Sequence, residues 1–493
     1  LSNLNKRLGP IVLLALSAYA LFMLWNLPTG GMEGLLNIDN IFKFTAISKY
    51  FSILSLIVFA SFALFNISWI EKAKNPHAFN TLSILTLLGT LGVFFSSNLI
   101  ALYIFWELAV IGSLFIVPMG KDESKKAAIW YIVISSIGTY MFLYGTFILY
   151  SKYDTFDIYE ISERIGNAPN NFKWAVLLLM LSAGLAKSGV FPLHVWLRNV
   201  HGNAPDTFSA VLSGQLVKMG SYILALLLSV FPVSIMFSEF YNGINILSYL
   251  LIWLGNISIL IGTLMAIKQN DMKMLIAYST VANGGYILIG LATLDKVGYA
   301  GGLFHAINHA LAATMIFLAF AAVVYRTGTT KIDELGGLIH RMPITFVTYL
   351  VGIISLAGIP PTSGFISKWM IFQSLVSRGM FVTELFAFVG SIGSFLYVFR
   401  PLAGVFLGQL KSNYKDVKEA PIFMTIPMII LVALTVIWGI FPQQILIWIT
   451  DIQKEFGMEV FQFEGTKLMT TMGYWDTWTV FVMFAVGFII AAV

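Results

Sequence analysis

Long runs of apolar residues recur along this chain, and nothing in the sequence constrains its fold more. Most runs are about 18 to 28 residues, the length at which an α-helix crosses a hydrocarbon core of about 30 Å. Barrel strands would need only about ten residues and strict alternation. Of 493 residues, 58% are hydrophobic and 11% charged, against roughly 25% charged in soluble domains. The chain therefore reads as an all-α polytopic membrane protein. Apolar segments fall at 9–27, 45–70, 79–97, 98–119, 126–150, 174–196, 207–231, 244–267, 272–293, 298–325, 343–377, 381–408, 422–448 and 475–493, about fourteen in all.

Charge tests this count, because Lys and Arg collect in cytoplasmic loops. With the N-terminus inside, the inner loops hold seventeen basic residues, Lys273 among them, and the outer loops nine. The outer loops also carry acidic stretches at 153–163 and 451–464. The net charge of +5 follows from this bias and gives no reason to invoke nucleic acid. The first apolar run opens the series without a cleavage signal, and Leu1 suggests a true start upstream. Cysteine is absent, which excludes disulfides, thiolate metal sites, iron–sulfur ligation and covalent c-type haem within the chain. No cofactor is expected in this subunit, and any redox centre belongs to a partner.

Four charges fall inside spans: Glu107, Lys187, Lys218 and Lys368. A charge near a bilayer centre costs about 2.5–3.5 kcal/mol on insertion scales, so each marks a functional site by default. Two blander readings stand beside this one. A lysine at a helix end snorkels, and Glu107 with Lys187 could form a purely structural pair. Stability alone is a poor reason for a buried pair. One carboxylate cannot neutralise three lysines, which leaves at least one poised to take up and release a proton.

The stretch LAGIPPTSGFISKWM (356–370) breaks a span just before Lys368. Pro360 and Pro361 remove backbone donors, and Gly358 and Gly364 loosen the turn, so nearby carbonyls need partners. Irregular backbone at membrane depth is tolerated only inside protein or beside a wet cavity. The same ingredients recur in GLAKSGVFPLHVW (184–196), around Lys187 and Pro192. Paired broken segments point to two internal repeats with an ion path between them.

His305 and His309 are four residues apart and share a helical face with Asn308 beside them. No carboxylate or cysteine accompanies them, so a proton or water relay is favoured over a metal site. His194 and His201 flank the cytoplasmic end of the first broken segment, where a loop or capping role competes with function. His77 and His340 read as loop residues. No Walker, dinucleotide or nucleophile-elbow motif occurs.

These residues resemble a known family. FWEL (105–108), GLAKSGVFPLHVWL (184–197), APDTFSAVLSGQLVKMGSYIL (204–224), DMKMLIAYSTVANGGYI (271–287), LFHAINHAL (303–311) and LAGIPPTSGFISKW (356–369) are similar, in order, to the antiporter-like membrane subunits of respiratory complex I, of multi-subunit cation/proton antiporters and of membrane-bound hydrogenases. The resemblance implies two inverted five-helix repeats with two discontinuous helices and half-channels to each side. It implies that Glu107 pairs with and tunes Lys187, that Lys187 and Lys218 carry protons, and that His305, with His309 near it, bridges Lys218 to a terminal Lys368. His194 is a lesser candidate. Ala313 stands where many relatives have lysine, the glutamate helix is fourth rather than fifth, and 475–493 is additional.

The expected organisation is N-terminal helices at 1–78, a first repeat at 79–231, a second at 232–408, and C-terminal helices at 409–493. The expected function is proton translocation in a complex I-related oxidoreductase of membrane-bound hydrogenase type, in a prokaryotic cytoplasmic membrane. The subunit has no catalytic site of its own. Its expected partners are other membrane subunits and a soluble module with iron–sulfur or nickel–iron centres. The alternative is a sodium/proton antiporter subunit without a redox partner. A scaffold that has lost transport is disfavoured, because all four charges are kept despite their burial cost.

Overall fold

The computed structural model describes residues 2–29, 41–121, 123–231, 233, 237–460, 462–464, 467–470 and 473–492. In chain order its helices are α1 (Ser2–Asn26), α2 (Ala46–Trp69), α3 (Pro76–Phe95), α4 (Leu99–Ile116), α5 (Ser124–Tyr153), α6 (Ile158–Ile165), α7 (Asn170–Ser188), α8 (Val195–Asn203) and α9 (Phe208–Val230). They continue as α10 (Ile246–Ile267), α11 (Met272–Ala292), α12 (Lys296–Thr327), α13 (Pro343–Ala357), α14 (Ser363–Ser377), α15 (Phe381–Pro401), α16 (Ile422–Ile440), α17 (Gln443–Glu455) and α18 (Thr477–Ala492). Two small antiparallel sheets lie between them, Glu239–Tyr241 with Ile244–Asn245, and Gln462–Glu464, Lys467–Thr470 and Gly473–Asp476. Among the described residues, eleven helices are long and apolar enough to cross a membrane.

Side-chain caps set many of the helix starts. Thr45 and Ser48 form a capping box on α2, while Asn98, Asp271 and Asp295 accept from the first free amides of α4, α11 and α12. The polytopic helical architecture read from hydropathy is the one observed, and each expected apolar segment contains helix. Two segments are broken, as their glycines and prolines imply. The segment 174–196 divides into α7 and α8, and 343–377 into α13 and α14. The segment 422–448 ends sooner than its hydropathy suggests: α16 stops at Ile440, and after Pro442 the chain restarts as the amphipathic α17.

The two breaks share a design. Each helix stops at a left-handed glycine, Gly189 (φ +66°) or Gly358 (φ +78°), and a cis X–Pro bond follows, Phe191–Pro192 or Pro360–Pro361. A neighbouring helix presses a glycine onto each break. A Cβ at Gly220 of α9 would sit 2.3 Å from the Ser188 amide, and one at Gly439 of α16 would sit 2.1 Å from the Pro361 carbonyl. Four crossings, α9 to α12, separate the two broken segments, so the segments run in opposite senses, as inverted repeats require.

The 32-residue α12 forms the axis of the bundle and is buried over nearly its whole length. Its neighbours α2, α9 and α11 are likewise mostly buried, while α1, α5 and α15 expose large apolar residues such as Phe22, Trp130, Leu385 and Leu396. That outer shell suits lipid or a partner helix rather than water.

Glu419, in the loop before α16, fixes the start of the second broken segment. Its carboxylate accepts from the Ile344 amide at 2.7 Å, the Thr345 amide at 3.2 Å and the Thr345 hydroxyl at 2.6 Å, satisfying the free N-terminus of α13. Glu419→Ala is therefore expected to destabilise the protein by about 1–2 kcal/mol, with Glu419→Gln falling between the two. Thermal unfolding of the purified complex measures this, and identical midpoints would remove Glu419 from the account.

Candidate functional site

The first break places Lys187 in the last turn of α7, 2% exposed. The indole of Trp196, on the restarting α8, donates at 3.0 Å to the Ala186 carbonyl, which also accepts from the Gly189 amide at 3.2 Å. Lys187 donates to the Tyr131 hydroxyl at 2.8 Å, and that hydroxyl lies 2.7 Å from Ser113 Oγ on α4. The expected Glu107–Lys187 pair is not formed. Glu107 lies on α4, partly exposed, within electrostatic reach of Tyr103, itself beside Tyr140, and makes no ion pair among the described residues. Lys187 reaches α4 through a tyrosine and a serine.

Lys218 sits at the centre, 1% exposed, just after a π-turn at Leu212–Leu216 within α9. Its Nζ is 2.7 Å from His309 Nδ1 on α12. One turn back on the same face, His305 hydrogen-bonds Asn283 Oδ1 at 3.0 Å and Ser367 Oγ at 2.9 Å. Asn283 donates to Ser279, whose Oγ also accepts from the Tyr397 hydroxyl at 2.9 Å. Asn308 Oδ1 accepts from Ser355 at 2.5 Å and Ser363 at 2.8 Å, tying α12 to both halves of the second broken helix.

Lys368, one residue after Ser367, is 3% exposed and does not snorkel. It donates to the carbonyls of Leu356 at 2.8 Å and Ala357 at 3.3 Å, which the break has freed, and to Ser391 Oγ at 3.1 Å. Its ammonium is 4.7 Å from the ring centroid of Tyr286, and that ring packs edge-on against His305. The bridge that the resemblance assigns to His305, with His309 near it, is divided between the two: His309 touches Lys218, and His305 faces Ser367 and Tyr286 beside Lys368.

His194 stands apart, half-buried at the start of α8 with its ring 5.9 Å from Phe191. Tyr131, Ser113, Asn283 and Ser367 were not singled out in the sequence, because neutral polar residues are ordinary in membrane helices. Lys273 corrects an expectation. Placed among the inner loops by charge, it is the second residue of α11, 1% exposed, and pairs with Asp206 at 2.9 Å while donating to the Ala204 carbonyl at 2.6 Å.

This geometry has known counterparts. Residues 96–396 match the family described as NADH:quinone oxidoreductase/Mrp antiporter, transmembrane. NADH-quinone oxidoreductase subunit M of Rickettsia prowazekii is 30% identical over 366 residues, covering 72% of this chain and 71% of that protein. The chain belongs to this antiporter family. A Na(+)/H(+) antiporter subunit from Alkalihalophilus pseudofirmus is 34% identical over 403 residues, 76% of this chain but 49% of that protein, so the chain spans about half of that relative. Among solved structures, a chain of the membrane-bound sulfane sulfur reductase, an archaeal respiratory membrane complex, superposes with a TM-score of 0.88 at 31% identity, covering 99% of this chain and 83% of that one. The protein is thus an antiporter-like, multi-pass membrane subunit of complex I-related or Mrp-type assemblies.

If the phenol links Lys187 to α4, Tyr131→Phe removes the link while keeping the ring packed on Trp196. Ion translocation by the assembled complex should fall roughly tenfold or more, with normal assembly. A wild-type rate would exclude the phenol from the path.

Proposed function

We propose that this chain translocates protons in a complex I-related membrane oxidoreductase of the membrane-bound hydrogenase type. Lys187, Lys218, His309, His305 and Lys368 carry the proton, and Glu107 sets the charge at one end. The observation that carries the reading is the contact of Lys218 with His309 at 2.7 Å, followed one helical turn away by His305 and, across Tyr286, by Lys368. Three lysines kept in a bundle interior serve no stability purpose that apolar residues would not serve better.

Glu107 adds a reason for a partner. Its partly exposed carboxylate lies at mid-span on a face that also exposes Ile104, Ile111 and Phe115. A carboxylate facing lipid there is costly, so in this reading a neighbouring membrane subunit covers it. Redox events in a soluble partner module, with iron–sulfur or nickel–iron centres, would drive the protons. The near full-length match to the sulfane sulfur reductase chain supports a redox assembly over a stand-alone antiporter. The 34% identity to an antiporter subunit keeps the second reading, sodium/proton exchange without an electron donor. Sodium-dependent proton flux in the absence of any donor would favour it.

Lys187→Ala in the assembled complex should abolish proton pumping while the soluble module still reduces artificial acceptors. Pumping at the wild-type ratio of protons to electrons would reject the assignment.

A further inference from the structure

Arginine is a side chain that this protein almost always gives a partner. Arg7, Arg164, Arg326, Arg378 and Arg400 each donate to a carboxylate or a carbonyl, and Arg341 is exposed in the loop before α13. Arg198 breaks the pattern. It is only partly exposed, its Nε is buried without a hydrogen-bond partner, and among the described residues it forms no ion pair. A guanidinium is always charged and carries five donors, so a place that offers it no acceptor awaits an anion from outside the chain.

The position of Arg198 says which anion. It lies five residues before Asn203, about 7.5 Å along the axis of α8. Asn203 ends α8 at the inner surface, where its carbonyl accepts from the Lys121 amide at 2.9 Å. α8 is wedged between α5 and α11: the Trp196 ring lies 5.0 Å from that of Tyr131, and a Cβ at Gly202 would sit 2.7 Å from Met274 Cε. Pro192 and Val195, at three-residue spacing before Arg198, are exposed, Val195 by 46%. This apolar strip belongs to the outer shell that suits lipid, and the buried Nε holds the guanidinium beside it rather than extended into water. His194, one turn deeper, is half-buried with Nδ1 unpartnered. At the inner rim the start of α5 exposes Lys125 and Lys126, with Glu123 the acidic exception beside them.

We infer that the open side of α8 binds an anionic phospholipid of the inner leaflet. The Arg198 guanidinium grips the phosphate, since its planar fork meets two phosphate oxygens at once. His194 lies at the depth of the glycerol oxygens, and the acyl chains run along Val195 and Pro192 toward the middle of the membrane. Lys125 and Lys126 add attraction at the rim, as basic residues at the inner ends of spans do. A free phosphate offers the same oxygens but nothing to cover the apolar strip.

Lipid retention by the assembled complex tests this. The complex is reconstituted in phosphatidylcholine vesicles with or without phosphatidylglycerol, extracted again, and its bound lipid counted by mass spectrometry. The wild type should retain phosphatidylglycerol over phosphatidylcholine, and Arg198→Gln should retain at least about tenfold less of it. Arg198→Lys should fall between the two, and Arg341→Gln should match the wild type. Equal retention by the wild type and Arg198→Gln overturns the inference, as does an equal loss in Arg341→Gln, which would be an effect of charge without a site. Inorganic phosphate added during extraction should leave the lipid in place, and its displacement would make this a phosphate site instead. A map of the wild-type complex gives a second reading that needs no variant. It should show a phosphate headgroup within hydrogen-bond distance of Arg198, and a partner subunit's carboxylate or water alone at that place overturns the lipid assignment.

Discussion

In hydrocarbon, no backbone amide, carbonyl or ammonium can be left without a partner, and this structure is organised around that constraint. A helix satisfies its own backbone, which is why nearly every apolar run is one. Where the chain breaks a helix, carbonyls at the break take side-chain donors: Trp196 joins the Gly189 amide on Ala186, and Lys368 fills Leu356 and Ala357. At the second break the same bonds serve two needs. They fill the carbonyls and they shelter an ammonium that would otherwise be prohibitively exposed to lipid. The break and the charge explain each other, since removing either leaves the other unsatisfied.

The same logic places the buried His305 and His309 on an element that is itself buried over nearly its whole length. The central α12 carries His305, Asn308 and His309 on adjoining faces, and its neighbours bring the counterparts: Lys218 from α9, Asn283 from α11, and Ser363 and Ser367 from α14, with Lys368 one residue further on. Lys187 reaches this centre less directly. Its hydrogen bond runs outward to Tyr131, while Gly220 of α9 abuts Ser188, whose Oγ is buried without a partner. Direct side-chain bonds therefore join the groups from Lys218 to Ser367 only in part. Water is the natural filler of the gaps.

How much of this was legible in the sequence follows from the price of each residue in lipid. Lys187, Lys218 and Lys368 stood out because a charge inside an apolar run has no cheap explanation, and both breaks stood out because glycine and proline act on the backbone itself. Tyr131, Ser113 and Ser367 carried no such mark, since a hydroxyl can bond to its own helix and cost little. Lys273 was misplaced for a related reason: it lies at a helix start beside charged loop residues, where a count of basic residues sees only a loop. The pairing of Glu107 with Lys187 came from resemblance, and no spacing in the chain could test it. The structure turns Lys187 toward Tyr131 instead. The early stop of α16 was hidden because α17 continues the apolar pattern on one face only.

The central claim is that lysines held inside the bundle exchange protons with the histidines of α12 and are more than fixed counter-charges. The nitrogen-15 chemical shift of the Lys218 amine, followed in the assembled complex at rest and during turnover, tests it most directly. The account predicts that the signal moves between its ammonium and neutral-amine positions when the complex is energised, with the His309 ring nitrogens changing in step. A Lys218 that remains an ammonium throughout while pumping proceeds would contradict it.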